Sequence, residues 1–377
     1  MAAVIYHREY GGYDFGADHP FTPARLEILT DLLAALGHPL DALEPPPATR
    51  EEILTVHDEA YVAAVEALDR HEGVSGALAY GLGTPDNPIF PGMDLAARWL
   101  VGGTLHGART IADGRDSRVL QLGGGLHHAA RAKAAGFCLY NDLAVAIQEF
   151  VRRGWYVAYL DIDLHHGDGV QSLFYESDHV LTLSLHESGY YLYPGTGHIH
   201  ELGSGSGRGM KINIPLEPFT EEEDYLEAFD AVVPQALAWF SPSVLVVQAG
   251  ADGHFADPMG DLALTTRTYQ ALYERILGLA ARHTEGRVLF TLGGGYSSAV
   301  VPRVWAMLYL TLMGLPLPER LPEDWMAKWA HALGPGMPST LHDSDPPFPP
   351  FEGKDERRRR NRNTVSRLLD SVSRYWY

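Results

Sequence analysis

A single cysteine in 377 residues, Cys138, rules out an intrachain disulfide and is compatible with a reducing compartment, so the expected location is the cytoplasm. Long apolar runs are missing too, and no stretch reaches the roughly 18 apolar residues of a membrane span. The N-terminal MAAVIYHREYGGYDF has a short apolar run with no basic region before it, so the chain is expected to be soluble and unprocessed. Positive charge is scarce: 29 basic residues against 48 acidic ones give −19. Such a surface repels nucleic acid and anionic lipid, so neither is an expected partner. The exception is residues 351–377, where eight basic and four acidic residues make +4 and leave 21 − 44 = −23 for the rest. A cationic substrate would be drawn to that body.

What the chain does have is material for a large core: 46% hydrophobic residues exclude disorder over most of its length. From about residue 95, helical patterns alternate with short, nearly continuous apolar runs, the mark of a parallel sheet covered on both faces. Strands are expected at Arg118 to Leu122, Tyr156 to Ile162, Val180 to Leu185, Lys211 to Pro215, Val244 to Ala249 and Val288 to Leu292. Asn141-Asp142 caps a helix with Leu143, Ala146, Ile147, Phe150 and Val151 on one face and Gly154 after its end. Thr220, with Glu223 three residues on, predicts a capping box ahead of Leu226, Phe229, Val233 and Leu237. The segment Pro335 to Pro350 reads as irregular chain wrapping the body, and ERRRRNRNTVSRLLDSVSRYWY as a terminal helix with a basic face. The arginines on that face are expected to be solvated or paired internally.

Open α/β sheets build their sites at the carboxyl ends of the strands. Here those ends are loaded with polar chemistry: GGGLHH (Gly123 to His128), DIDLHHGDGV (Asp161 to Val170), SLHES, AGADGH (Ala249 to His254) and GGGY (Gly293 to Tyr296). Asp163 and His165 are two apart, so in extended chain their side chains share a side, and Asp252 from another strand end supplies a third ligand. Two carboxylates and one imidazole neutralise a divalent cation and leave coordination positions open, as catalysis requires. Zinc is the expected ion, although iron(II), cobalt or manganese also suit an oxygen-rich set. Beside it, the adjacent His127 and His128 could serve as base and acid, with Asp161 and Asp168 available to hold one imidazole each. Tyr296 could donate a hydrogen bond to an oxyanion, and the glycines before it let backbone approach a substrate. Neither glycine run has phosphate-loop or dinucleotide-binding spacing, so no nucleotide is expected.

GGGLHHA, AAGFCLYND, YLDIDLHHGDGVQ, YPGTGH, AGADGH and TLGGGY resemble, in order and spacing, the arginase-like deacetylase superfamily from about Tyr6 to about Pro316. Within it, YDFGADHPFTPARL and GLGTPDNPIFPGM resemble the bacterial acetoin-utilization branch, relatives of the zinc-dependent histone deacetylases. The resemblance implies a single-domain α/β fold with a central eight-stranded parallel sheet over residues 1–316, a C-terminal extension over 317–377, and removal of acetyl groups from lysine side chains. It further implies zinc on Asp163, His165 and Asp252, the tandem histidines His127 and His128 supported by Asp161 and Asp168, and Tyr296 as oxyanion donor. An acyl-lysine channel is implied between Gly136 and Phe137 on one wall and Tyr193 or Leu192 on the other, with Gly294 deeper in. Asp86 matches a rim aspartate that grips the substrate backbone, and Arg25 an arginine lining an inner cavity for acetate. Asp161, Asp163, His165, Ser184 and Leu185 match a structural K+ or Na+ site. An acetylated protein, an acyl-CoA synthetase for example, is the implied partner, and nothing in the sequence sets the oligomeric state.

Three other functions compete. Acetylated polyamines or other small acetamides would suit the same chemistry and the same acidic body. A catalytically silent acyl-lysine-binding protein would not need every ligand, base and oxyanion residue. A ureohydrolase would need a second metal, and Gly167 stands where its pattern places the last aspartate of Asp-x-His-x-Asp.

Overall fold

The structure is a computed structural model, and it describes residues 2–376. Seven strands form one parallel sheet: β1 (Ala2–Ile5), β2 (Arg118–Gln121), β3 (Val157–Asp161), β4 (Val180–Glu187), β5 (Lys211–Leu216), β6 (Val244–Gln248) and β7 (Val288–Thr291). Their order across the sheet is β1-β2-β7-β6-β3-β4-β5. The helices are α1 (Ala24–Ala35), α2 (Arg50–Ile53), α3 (Glu59–Asp69), α4 (Met93–Ala112), α5 (Asp142–Arg152) and α6 (Asp168–Leu173), followed by α7 (Glu222–Phe240), α8 (Thr266–His283), α9 (Val301–Met313), α10 (Glu323–Leu333) and α11 (Lys354–Trp376).

Strands buried on both faces explain the unbroken apolar runs, and successive residues serve opposite cores. Val157 and Tyr159 join the core beneath α3, α4 and α5, whereas Ala158 and Leu160 join the core shared with α1, α7, α8 and α9. The six strands expected from sequence all form. The seventh is the short N-terminal apolar run, which pairs β1 with β2.

The implied eighth strand is absent among the described residues. Beyond β1, Leu43 makes a single parallel bridge to Ile5, through Leu43 N–H to Val4 O at 2.8 Å and Tyr6 N–H to Leu43 O at 3.3 Å. Pro45, Pro46 and Pro47 follow, and three residues with no N–H cannot continue a ladder.

A second correction concerns the start of α7. Glu221 is the cap residue and no capping box forms, because the Thr220 hydroxyl donates to Glu217 O while Glu223 pairs with Arg358 of α11. The helix after Asn141 starts as expected: Asn141 Oδ1 accepts from Ala144 N–H at 2.9 Å.

The C-terminal residues pack into the main body. Trp325, Leu333, Leu341, Leu368 and Trp376 are buried in the same core as α7, α8 and α9, and α11 lies on α7 and β5. The expected terminal helix forms, Tyr377 lying outside the described residues. Its arginines pair across to α7: Arg358 with Glu223 at 2.7 Å and Arg362 with Glu227 at 2.8 Å. No helix is long and apolar enough to cross a membrane among the described residues.

Candidate active site

Because the sheet is parallel, the carboxyl ends of β2, β3, β4, β6 and β7 lie on one rim and carry the five loaded segments there. Asp163, His165 and Asp252 are buried, and their ligand atoms lie within 4.8 Å of one another. His165 Nδ1 is 3.2 Å from Asp163 Oδ1 and 3.1 Å from Asp252 Oδ2. Burial alone would depress His165, yet the two carboxylates hold its pKa up at about 10. Burial and the neighbouring Asp163 push Asp252 up to about 7, while His127 and His165 hold Asp163 well below the usual carboxylate range against its own burial. The two acids therefore create a field that demands positive charge, and a divalent cation among three oxygen and nitrogen donors meets that demand. The donor set fits a catalytic metal, and its identity is not specified by the donors.

Backbone closeness shapes this cluster. Gly294 N–H donates to Asp163 Oδ2 at 2.9 Å, and a Cβ on Gly294 would lie 2.1 Å from Asp252 Oδ2, so only glycine fits. Gly294 thus lies against the ligand carboxylates.

The paired histidines are tuned apart. His127 Nδ1 is 2.8 Å from Asp161 Oδ2, His128 Nδ1 is 2.7 Å from Asp168 Oδ1, and the two Nε2 atoms face each other at 3.0 Å. Burial lowers both imidazoles, but Asp161 and Asp163 outweigh it at His127 and hold it at about 9. His128 is pushed down to about 4 by burial and by His127, with Asp168 only partly compensating. Near pH 7 one ring is a cation and the other a neutral base, the division of labour that general acid–base chemistry needs.

Two aromatic rings, Tyr193 and Phe137, lie close to this cluster. The Tyr193 ring is 5.0 Å from His128 and 6.3 Å from His165, and Phe137 meets Tyr296 edge-on at 5.8 Å. Gly136 adopts φ +49°, and a Cβ there would strike His128 Cδ2 at 2.3 Å. Leu192 packs against the core, so of the two residues expected opposite Phe137 it is Tyr193 that faces the histidines. Asp86 is exposed, close enough to Tyr193 and His19 to bear on their titration. Burial pushes the Tyr296 phenol well above 10, so it stays protonated.

Arg25 is buried and donates to Gly293 O at 3.0 Å and Gly295 O at 2.7 Å. Its guanidinium stacks 4.2 Å over Phe21 and lines a cavity of about 20 Å³ with Tyr10, Tyr13, Gly123 and Trp305. Asp161 and Ser184 are register partners on β3 and β4, with Leu185 next along the strand. The Asp161 carboxylate also accepts from Tyr159 OH at 2.6 Å and Asp163 N–H at 3.1 Å, and the Ser184 hydroxyl meets His186 Nδ1 at 2.8 Å.

Sequence reasoning missed several supports. Gln248 Nε2 donates to Asp163 Oδ2 at 2.6 Å, and a fully buried amide ending an apolar strand was the available signal. Asp257 accepts from Tyr296 N–H at 2.7 Å and Ser297 N–H at 3.1 Å, fixing the tyrosine's backbone. Asp142, read only as part of a cap, accepts from Gly125 N–H, Leu126 N–H and the Thr104 hydroxyl and so braces the segment before His127. His19 lies beside Phe137, the two rings 4.6 Å apart.

Comparison with known proteins agrees with this geometry. The histone deacetylase domain profile matches residues 19–312. The acetoin utilization protein AcuC of Bacillus subtilis (strain 168) is 41% identical over 380 residues, covering 98% of this chain and 97% of that protein. AcuC of Staphylococcus aureus (strain MRSA252) is 36% identical over 348 residues, 90% of this chain and 89% of that protein. The crystal structure of a histone deacetylase homologue from Aquifex aeolicus superposes with a TM-score of 0.88 at 27% identity, covering 98% of this chain and 99% of that one. A structure of a histone deacetylase homologue complexed with SAHA gives 0.85 at 27% identity, over 98% and 99% of the two chains. Two strand ends supplying a buried Asp-His-Asp cluster, a profile spanning most of the sequence and full-length relatives all agree: this chain belongs to the histone deacetylase family, in the AcuC branch of deacetylases.

Proposed function

We propose that this deacetylase hydrolyses Nε-acetyl-lysine side chains of proteins to lysine and acetate, using a divalent cation, zinc first, held by Asp163, His165 and Asp252. The observation that carries the reading is the oppositely tuned His127–His128 pair set against the buried acidic cluster. Bound there, the cation would supply Lewis acidity to the acetamide carbonyl and to the attacking water. His128, neutral near pH 7 and tethered by Asp168, accepts the water's proton at Nε2 and passes it to the lysine nitrogen as the carbon–nitrogen bond breaks. His127, held positive by Asp161, stabilises the negative charge that develops. The protonated Tyr296 phenol donates a hydrogen bond to the oxyanion.

Phe137, Tyr193 and Gly136 suit an extended alkyl chain, and Asp86 at the mouth would accept from the substrate backbone. Arg25 would meet departing acetate. A monovalent cation, K+ or Na+, is proposed at Asp161, Asp163, His165, Ser184 and Leu185. A metabolic enzyme such as an acyl-CoA synthetase is proposed as the acetylated protein, in the cytoplasm. Acetylated polyamines stand second, because a net charge of −19 favours any cation.

The test is acetate release by zinc-reconstituted protein from an acetyl-lysine peptide and an acetylated polyamine in parallel, with Tyr296→Phe as blank. Faster turnover of the peptide supports the proposal. Faster turnover of the polyamine keeps the chemistry and replaces the substrate.

A further inference from the structure

One side chain from the region after residue 316 joins the loops around the active site. Asp343, in the irregular segment between α10 and α11, has its carboxylate 7% exposed. Its Oδ2 accepts from His254 Nε2 at 2.9 Å and from Thr266 N–H and Oγ1, each at 2.8 Å, and its Oδ1 accepts from Arg303 at 2.8 Å. Each of the two ring and guanidinium donors belongs to a segment that carries a site residue. His254 lies two residues after Asp252, and its Nδ1 accepts from Ala256 N–H at 3.1 Å, which leaves Nε2 to carry the proton toward Asp343. Arg303 sits in the first turn of α9, which begins five residues after Tyr296, and its Nε donates to Ala299 O at 2.7 Å. Asp257, further along the His254 segment, holds the backbone of Tyr296.

One carboxylate therefore ties the loop bearing Asp252 to the loop bearing Tyr296. Arg303 is 2% exposed, and Asp343 is its only ion-pair partner among the described residues. Without that carboxylate the buried Arg303 guanidinium keeps only the carbonyls of Ala299 and Leu341, the buried His254 Nε2–H loses its acceptor, and the two loops keep the direct Asp257–Tyr296 bond but lose this second tie.

We propose that Asp343 is a positioning residue for the active site, holding the Asp252 and Tyr296 loops at their working separation, so that the C-terminal segment is part of the catalytic machinery. This rests on the function proposed above. It is distinguished from a purely fold-stabilising role by what moves when the carboxylate is lost. Partners that orient metal ligands are worth about 10–100-fold in metal affinity or activity. Asp343→Asn is therefore expected to weaken zinc binding about tenfold, read by competition with a chromophoric chelator, and to lower kcat about tenfold with KM nearly unchanged.

The control is Asp31→Asn, which removes the α1 acceptor for Lys328 and Trp329 of α10 and so loosens the same region far from the loops. It should lower the melting temperature while leaving zinc affinity and kcat at wild-type values. If Asp343→Asn fails to accumulate folded, Thr266→Val, which removes one donor to the same carboxylate, should shift zinc affinity and kcat about threefold in the same direction, less than the loss of the carboxylate itself. Wild-type zinc affinity and kcat in Asp343→Asn, whatever its melting temperature, overturn the proposal, as does an equal change in Asp31→Asn. Zinc affinity reads the positioning even if the wild type releases no acetate from any substrate tried, an outcome that would count against the proposed function alone.

Discussion

Asp142→Asn probes how the catalytic histidines are held. The carboxylate is fully buried at the first residue of α5, and its oxygens accept from Leu126 N–H at 2.7 Å, Gly125 N–H at 3.0 Å and the Thr104 hydroxyl at 2.6 Å. An asparagine keeps one oxygen and places an NH2 where the other stood. The Thr104 hydroxyl can rotate and accept from that NH2, but one of the two backbone N–H groups cannot change sign. One buried donor left without an acceptor costs about 1–3 kcal/mol. Alanine strands both backbone donors, while the Thr104 hydroxyl keeps Leu100 O, so Asp142→Ala should cost roughly twice as much, and Thr104→Val about 1 kcal/mol. Relief of the buried charge works the other way, since burial already raises the Asp142 pKa from its ordinary value. Three hydrogen bonds to an ionised acceptor outweigh that relief. Urea unfolding of the three variants should give this ranking. A change below about 0.5 kcal/mol for Asp142→Asn would mean that the group is protonated in the fold and that the loop rests on something else. Acetate release should fall with stability in Asp142→Asn, because the Gly125–Leu126 segment carries His127 and His128.

Further predictions concern the chemistry and the core. Tyr296→Phe should cut turnover by about a hundredfold or more, the scale of a lost oxyanion donor, and near-wild-type steady-state rates would remove the phenol from the mechanism. Asp252→Asn should release metal, so metal analysis after dialysis should find it depleted, and full occupancy would exclude Asp252 as a ligand. Lys211 is fully buried, with its ammonium donating to Ser177 O and Val180 O, and burial pushes its pKa down from 10.5 to about 7. Between these values the unfolded chain binds more protons than the folded one, so this residue makes stability rise with pH from about 7 toward 10.5; as pH falls the loss accumulates down to about 7 and levels off below it. Lys211→Met should remove that slope, up to about 1.4 kcal/mol per pH unit. Denaturation curves for the two proteins that stay parallel from pH 7 to 9 would contradict the depressed value.

The sheet and most of the site were legible because parallel strands buried on both faces leave no reason for polar residues except at their carboxyl ends. Asp161, Asp163, His127, His128 and Tyr296 stand out against Val157 to Leu160 and Val288 to Leu292 on that ground alone. What stayed hidden depends on partners far apart in sequence. Ala2–Ile5 is a strand only because β2 lies beside it, and the chain at Leu43 stops short of one because three prolines follow. Thr220 and Glu223 spell a capping box locally, yet Arg358, from more than a hundred residues downstream, takes the glutamate. Tyr193 and Leu192 are neighbours in an irregular loop with no period to say which one faces the histidines. Asp343 lies in a proline-rich stretch that reads as plain loop, and only the fold brings His254, Thr266 and Arg303 around it.

The central claim is that a single divalent metal on Asp163, His165 and Asp252 serves the hydrolysis of acetyl-lysine. Titrating metal-stripped protein with zinc while following acetate release from an acetyl-lysine peptide tests it most directly. Activity should rise from zero and saturate at one metal per chain in the wild type, with Asp163→Asn inactive throughout. Full acetate release by the stripped protein, or saturation at two metals per chain, would contradict the account.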